Sequence, residues 1–114
     1  MVLQNSIVAN NAGGNCHGSI ASVGYNLSSD HSCGFEGVGD LNNTDPNLGP
    51  LQNNGGPTET MALLPGSPAI DSGNPTGCKD SSGNLLTTDQ RGMPRRPEKG
   101  SGGCDRGAYE LQKD

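Results

Sequence analysis

The sequence has no tryptophan, one phenylalanine and two tyrosines, and only 29% of its 114 residues are apolar. A soluble domain usually carries about 45–50% apolar residues. A helix bundle, a coiled coil and a doubly wound α/β enzyme are therefore excluded, because each needs a larger core. No apolar run approaches the roughly 20 residues that cross a bilayer, so no membrane span is expected. Residues 1–50 contain no Lys or Arg. Without a basic stripe to neutralise phosphates, a nucleic-acid partner is excluded. C-x-x-C, G-x-S-x-G and H-E-x-x-H are all absent, which removes the common signatures of a zinc site, a serine nucleophile and a zinc protease. The start lacks a basic segment followed by a long apolar one, so no signal peptide is read.

What is present is turn chemistry. The chain holds 19 Gly and 8 Pro, with 12 Asn and 11 Ser beside them. Gly, Pro, Asn and Ser each favour turns for a separate backbone reason, so an all-β chain of short strands is predicted. Residues 2–9 read as one strand, with Leu3, Ile7 and Ala9 on one parity. Residues 19–27 read as a second strand region broken at Gly24. Residues 36–57 read as turns anchored by Leu41, Leu48 and Leu51. Residues 58–64 suit a strand or one helical turn, ended by Pro65 and Pro68. Residues 104–111 read as a final short strand. The spacing of Leu3 and Ile7 from Ile20 comes near a solenoid period, and the scarcity of strands argues against a sandwich. A parallel β-helix fits better.

Four cysteines (Cys16, Cys33, Cys78 and Cys104) are an even number in a small chain, which favours two disulfides and an oxidising compartment. Three connectivities are open. Local closure favours Cys16–Cys33 with Cys78–Cys104, whose loops of about 18 and 27 residues would each contribute roughly 3–3.5 kcal/mol in the chain-entropy model. Disulfides without a signal segment suggest part of a longer secreted precursor.

The charged residues offer few chemical constellations. Asp40, Asp45 and Asp71 are weak calcium candidates, because Asp40 to Asp45 lacks the glycine and glutamate of an EF-hand loop. Short carboxylates in such loops more commonly bond nearby backbone N–H groups. No metal or other cofactor is therefore assigned. His17 and His31 flank the first cysteine loop and read as surface residues. Asn26 and Asn42 begin glycosylation acceptor triplets. Asp89, Arg91, Arg95, Arg96, Asp105, Arg106 and Glu110 form the densest charged set. Arginine's planar fork suits carboxylates, so a structural ion network of Asp89, Arg91, Arg95, Asp105 and Glu110 is expected in preference to an acidic-sugar site.

A family resemblance rests on ordered motifs. They are Asn5-Ser-Ile-Val-Ala-Asn10, Gly24-Tyr-Asn-Leu27, Leu48-Gly-Pro-Leu51, Asn54-Gly-Gly-Pro-Thr58, Gly66-Ser-Pro-Ala-Ile-Asp71-Ser-Gly73, Asp89-Gln-Arg-Gly92, Arg96-Pro97 and Cys104-Asp-Arg-Gly-Ala-Tyr-Glu110. In this order they resemble the C-terminal region of choice-of-anchor Q domain proteins. These are secreted or surface bacterial proteins with a right-handed, pectate-lyase-like parallel β-helix. The resemblance implies terminal β-helix coils over residues 1–39 and a capping segment over 40–114. It also implies the Cys16–Cys33 and Cys78–Cys104 pairing. The chain departs at Arg106, where the family ending carries an apolar residue.

The expected function is that of a non-catalytic structural end or cap, extracellular or on the cell surface. Leu48, Leu51, Leu63, Leu64, Ile70 and Tyr109 are the candidate plug. The alternative is a carbohydrate-binding or lyase-like β-helix fragment, whose partner would be an extracellular polysaccharide or cell-surface glycan. Self-association through an open β-helix end at residues 2–9 is also expected. With so little apolar matter, the disulfides should be essential. Reduction is expected to lower the thermal midpoint sharply or unfold the chain, and a midpoint unmoved by reductant in a circular-dichroism melt would remove the disulfide argument.

Overall fold

Asparagine and glycine, not hairpins, turn the first part of the chain. In the computed structural model, which describes residues 1–95 and 103–112, the expected strand over residues 2–9 is two strands. These are β1 (Val2–Gln4) and β2 (Ile7–Val8), with Asn5 at φ 51° between them. Residues 19–27 divide in the same way into β3 (Ala21–Gly24) and β4 (Leu27–Ser28), with Tyr25 at φ 60° at the corner. Alternation alone does not reveal this bend. An asparagine tolerates the left-handed region well enough to turn a strand without interrupting its apolar parity.

The strands pair in parallel. Val2 lies opposite Ala21 and Ile7 opposite Leu27, an interval of about twenty residues, which is within the range of solenoid repeats. A further parallel bridge joins Leu27 to Leu41. The corners stack as well, through Asn5 N–H to Gly24 O (3.2 Å) and Tyr25 N–H to Val38 O (2.8 Å). Beneath them the fully buried Asn26 accepts from Ser6 N–H and donates to Leu3 O and Ser22 Oγ. Asp40 serves the next layer, accepting from Asn26 N–H, Ser22 Oγ and Gly37 N–H. Asn26, the first glycosylation candidate, is thus buried with its amide committed, and Asn42 donates its amide to Phe35 O.

Past the corners, β5 (Leu48–Gln52) and β6 (Thr60–Leu63) form an antiparallel pair. The reading of 36–57 as turns throughout therefore fails at β5. Pro50 sits where the register shifts between Leu48 and Leu51, one of the places where a sheet admits proline. The described residues contain no helix and only these short, two-stranded sheets, so the architecture is all-β. Both disulfides are present as Cys16–Cys33 and Cys78–Cys104, with Cα separations of 4.8 and 5.9 Å.

The apolar core is small. Leu27, Leu63 and Ala69 are buried, and Ile7, Leu41, Leu48, Ile70 and Tyr109 pack against them. Four of the six plug candidates thus meet at one core. Leu51 (57% exposed) and Leu64 (39%) do not. Leu64 follows the buried Leu63, and adjacent residues of an extended chain face opposite ways. Leu51 follows the irregularity in β5, beyond which the strand is exposed.

The expected final strand at 104–111 is absent. That segment satisfies its backbone one group at a time. Arg106 N–H donates to Ala69 O and Gly107 N–H to Asn5 O (2.7 Å). Glu110 N–H and Leu111 N–H donate to the Asp89 and Asp105 carboxylates.

Gly24 ends β3 at φ 120°, and a Cβ there would stand 2.8 Å from Val38 O. Gly24→Ala is expected to cost about 3 kcal/mol, from backbone strain and overpacking together. A urea melt checks this, and a loss under about 1 kcal/mol would show that the corner tolerates a side chain.

Candidate functional site

The described polar groups concentrate where residues 103–112 lie against the rest of the chain. Asp89 follows the Thr88–Pro94 bridge, whose turn is held by the Asp89 carboxylate accepting from Arg91 N–H and Met93 N–H. Arg91 Nε and Nη2 both reach Asp89 Oδ2, at 3.0 and 2.9 Å. The same guanidinium donates to Asn54 O and Glu110 O and lies 3.8 Å over the Tyr109 ring. Arg95 reaches Glu110 Oε1 at 3.0 Å and donates to Thr88 O and Gly107 O. The Asp89 and Glu110 side chains are fully buried in these pairs.

Asp105 is placed differently from the ion pairing expected of it. Its carboxylate accepts backbone N–H from Asp71 (2.7 Å) and Leu111 (2.6 Å), and its own N–H donates to Glu110 Oε1. Arg106 is buried at 4% exposure, although the resemblance expects an apolar residue at this position. It donates to Ser72 O, Ser72 Oγ and Asn26 O. An arginine can occupy an apolar position when nearby carbonyl and hydroxyl oxygens accept from its buried nitrogens. Arg96 lies outside the described residues.

The environment shifts these acids in opposite directions. Burial raises the Asp89 carboxyl, but hydrogen bonds from Glu110 N–H, the Arg91 side chain, Met93 N–H and Arg91 N–H outweigh it and hold the group below its ordinary value. Burial raises Asp105, and neighbouring Asp71 adds to this against the backbone donors. Glu110 rises to about 7, through burial first and then the Asp105 charge, with Arg95 opposing. Burial lowers Arg106, and the charge of Asp40 opposes it.

The calcium candidates do not converge. Asp40 is committed to the corner described above. Asp45 accepts from Asn47 N–H. Asp71 instead joins Asp105 and Glu110, with one carboxylate oxygen from each lying within 4.8 Å of the others. This trio was missed in the sequence, because Asp71 and Asp105 stand far apart and follow no ligand spacing. His17 and His31 are exposed. An open groove of about 280 Å³ lies beside the core, lined by Ile7, Leu48, Met61, Glu59, Arg106 and Tyr109 among others. Glu59 is its only acid, so the paired carboxylates of a hydrolase are not found in it.

Comparison with protein-family models, curated proteins and solved structures finds no match. Among the described residues no helix is long and apolar enough to cross a membrane.

Glu110 binds its proton more tightly in the folded chain than in the unfolded one. Its effect on stability is most favourable below the unfolded value of 4.5 and is lost as pH rises to about 7. Asp89 acts in reverse, losing its contribution only as pH falls through its lowered folded value. In chelated buffer, urea melts should therefore show a decline of about 2 kcal/mol between about pH 5 and about pH 8. Glu110→Gln should flatten that decline. A wild-type profile that is flat or rises over this range would contradict the raised Glu110.

Proposed function

We propose that this chain is a non-catalytic structural end of a right-handed parallel β-helix, belonging to an extracellular or cell-surface protein of the choice-of-anchor Q kind. The observation that carries the reading is the seating of residues 106–107 on the stacked corners. Gly107 N–H reaches Asn5 O in one layer, and Arg106 Nη1 reaches Asn26 O in the next (2.9 Å). The same segment packs Tyr109 onto Leu27, Leu63 and Ala69, and shielding of apolar core by a terminal segment is what an end or cap of a solenoid requires.

Two further observations support it. The two disulfides suit an oxidising compartment. Within the first layer, β1 and β2 each have one strand partner, and Val2 is 65% exposed. That edge is where another coil, or a second copy of the chain, adds in parallel. The carbohydrate-binding alternative is weakened by the guanidinium network, since Arg91, Arg95 and Arg106 spend their donors on the protein itself.

A glycan array including acidic polysaccharides, run with the disulfides intact, separates the two readings. No saturable binding and no release of unsaturated or reducing sugar are expected. Saturable binding that Arg91→Ala or Arg95→Ala weakens at least tenfold would replace the structural reading with the carbohydrate one.

A further inference from the structure

The unexplained feature of the charged cluster is one oxygen. Glu110 is fully buried. Its Oε1 takes Arg95 Nη1 and Asp105 N–H, while Oε2 is buried with no hydrogen-bond partner among the described residues. Buried carboxylate oxygens are rarely left so, because the lost hydration is not replaced. Two further carboxylates adjoin it. Asp105 is buried and Asp71 half-buried, and the three offer one oxygen each within 4.8 Å of one another. Arg95 supplies one positive charge to this group through Glu110. Arg91 is engaged with Asp89, and Arg106 points its donors at Ser72 and Asn26.

We infer that Asp71, Asp105 and Glu110 form a calcium site, with Glu110 Oε2, unpaired among the described residues, as a ligand oxygen. The donor set selects the ion. All three ligands offer carboxylate oxygens within 4.8 Å of one another, which suits a hard cation, and calcium accepts an irregular oxygen shell where magnesium demands near-ideal octahedral geometry. Asp105 still has lone pairs available, since each of its oxygens accepts only one N–H. Calcium's preference for six to eight oxygens leaves room for water on the half-buried Asp71 side. The ion would join the 69–73 segment to the 105–110 segment beside the Cys78–Cys104 bridge. This inference stands independently of the structural-end reading, since any fold with these three carboxylates would offer the site.

The test uses the full, oxidised chain, stripped with EDTA, dialysed, and titrated with calcium chloride by calorimetry and by thermal melting. Calcium at about millimolar concentration is expected to raise the midpoint by about 5 °C or more, because it binds the folded chain alone. Magnesium should give less than half that shift. Asp71→Asn, which alters the half-buried ligand and spares the buried pair, should remove the shift while the apo protein still melts cooperatively. The calcium shift should also be larger at about pH 8 than at about pH 5, because the proton and the ion compete for Glu110. Absence of a calcium shift and of binding heat at both pH values overturns the inference and leaves Oε2 to a proton. So does an equal calcium shift in Asp71→Asn.

Discussion

The structure depends on satisfying buried backbone without long ladders. Strands of two to five residues leave most N–H and C=O groups unpaired, and each such group is costly to bury alone. Short polar side chains fill the gap. Asn26 bonds three backbone or hydroxyl neighbours, Asp40 holds the next corner, and Asn15 bridges Val8 O to Ser28 and Ser29. The abundance of Asn, Ser and Asp is therefore structural. These residues perform locally what a long β-ladder performs collectively.

The same constraint, applied to charge, shapes the C-terminal segment. With only Leu27, Leu63 and Ala69 forming the buried apolar cluster, burial cannot hold residues 103–112 in place alone. Arginine forks reach backbone carbonyls from five separate stretches of chain, at Asn26, Asn54, Ser72, Thr88 and Glu110. Desolvating so many charges is worthwhile only when nearly every donor finds an acceptor, since a buried ion missing its partner costs several kcal/mol, about 3–5 by precedent. Among the described residues, Glu110 Oε2 is the buried side-chain oxygen without a partner, and it is therefore the atom open to a ligand.

The all-β class and the disulfide pattern were legible in the sequence. Gly24 marks a break that the structure places at the end of β3, and local loop closure identified both cysteine pairs. The bends at Asn5 and Tyr25 were not legible, because a left-handed residue can turn a strand without changing its apolar parity. β5 was hidden within a turn-rich stretch, because its pairing with β6 and the register shift that admits Pro50 are tertiary facts. Charge density in the sequence marked a set that includes Asp89, Arg91, Arg95 and Glu110, but which acid meets which arginine is read only from the structure. The Asp71, Asp105 and Glu110 trio was invisible because its members meet only after the chain has closed on itself.

By itself, the sequence determined that this chain must be β-rich, stapled and poor in core. A composition of turn formers with few large side chains cannot bury enough area for any other class. The tertiary structure alone decided which polar groups would be buried together. Whether a carboxylate pairs with arginine, accepts a backbone N–H or is left with a free oxygen depends on which distant segments arrive beside it. That arrival is set by packing and crosslinks across the whole chain, and no local pattern encodes it.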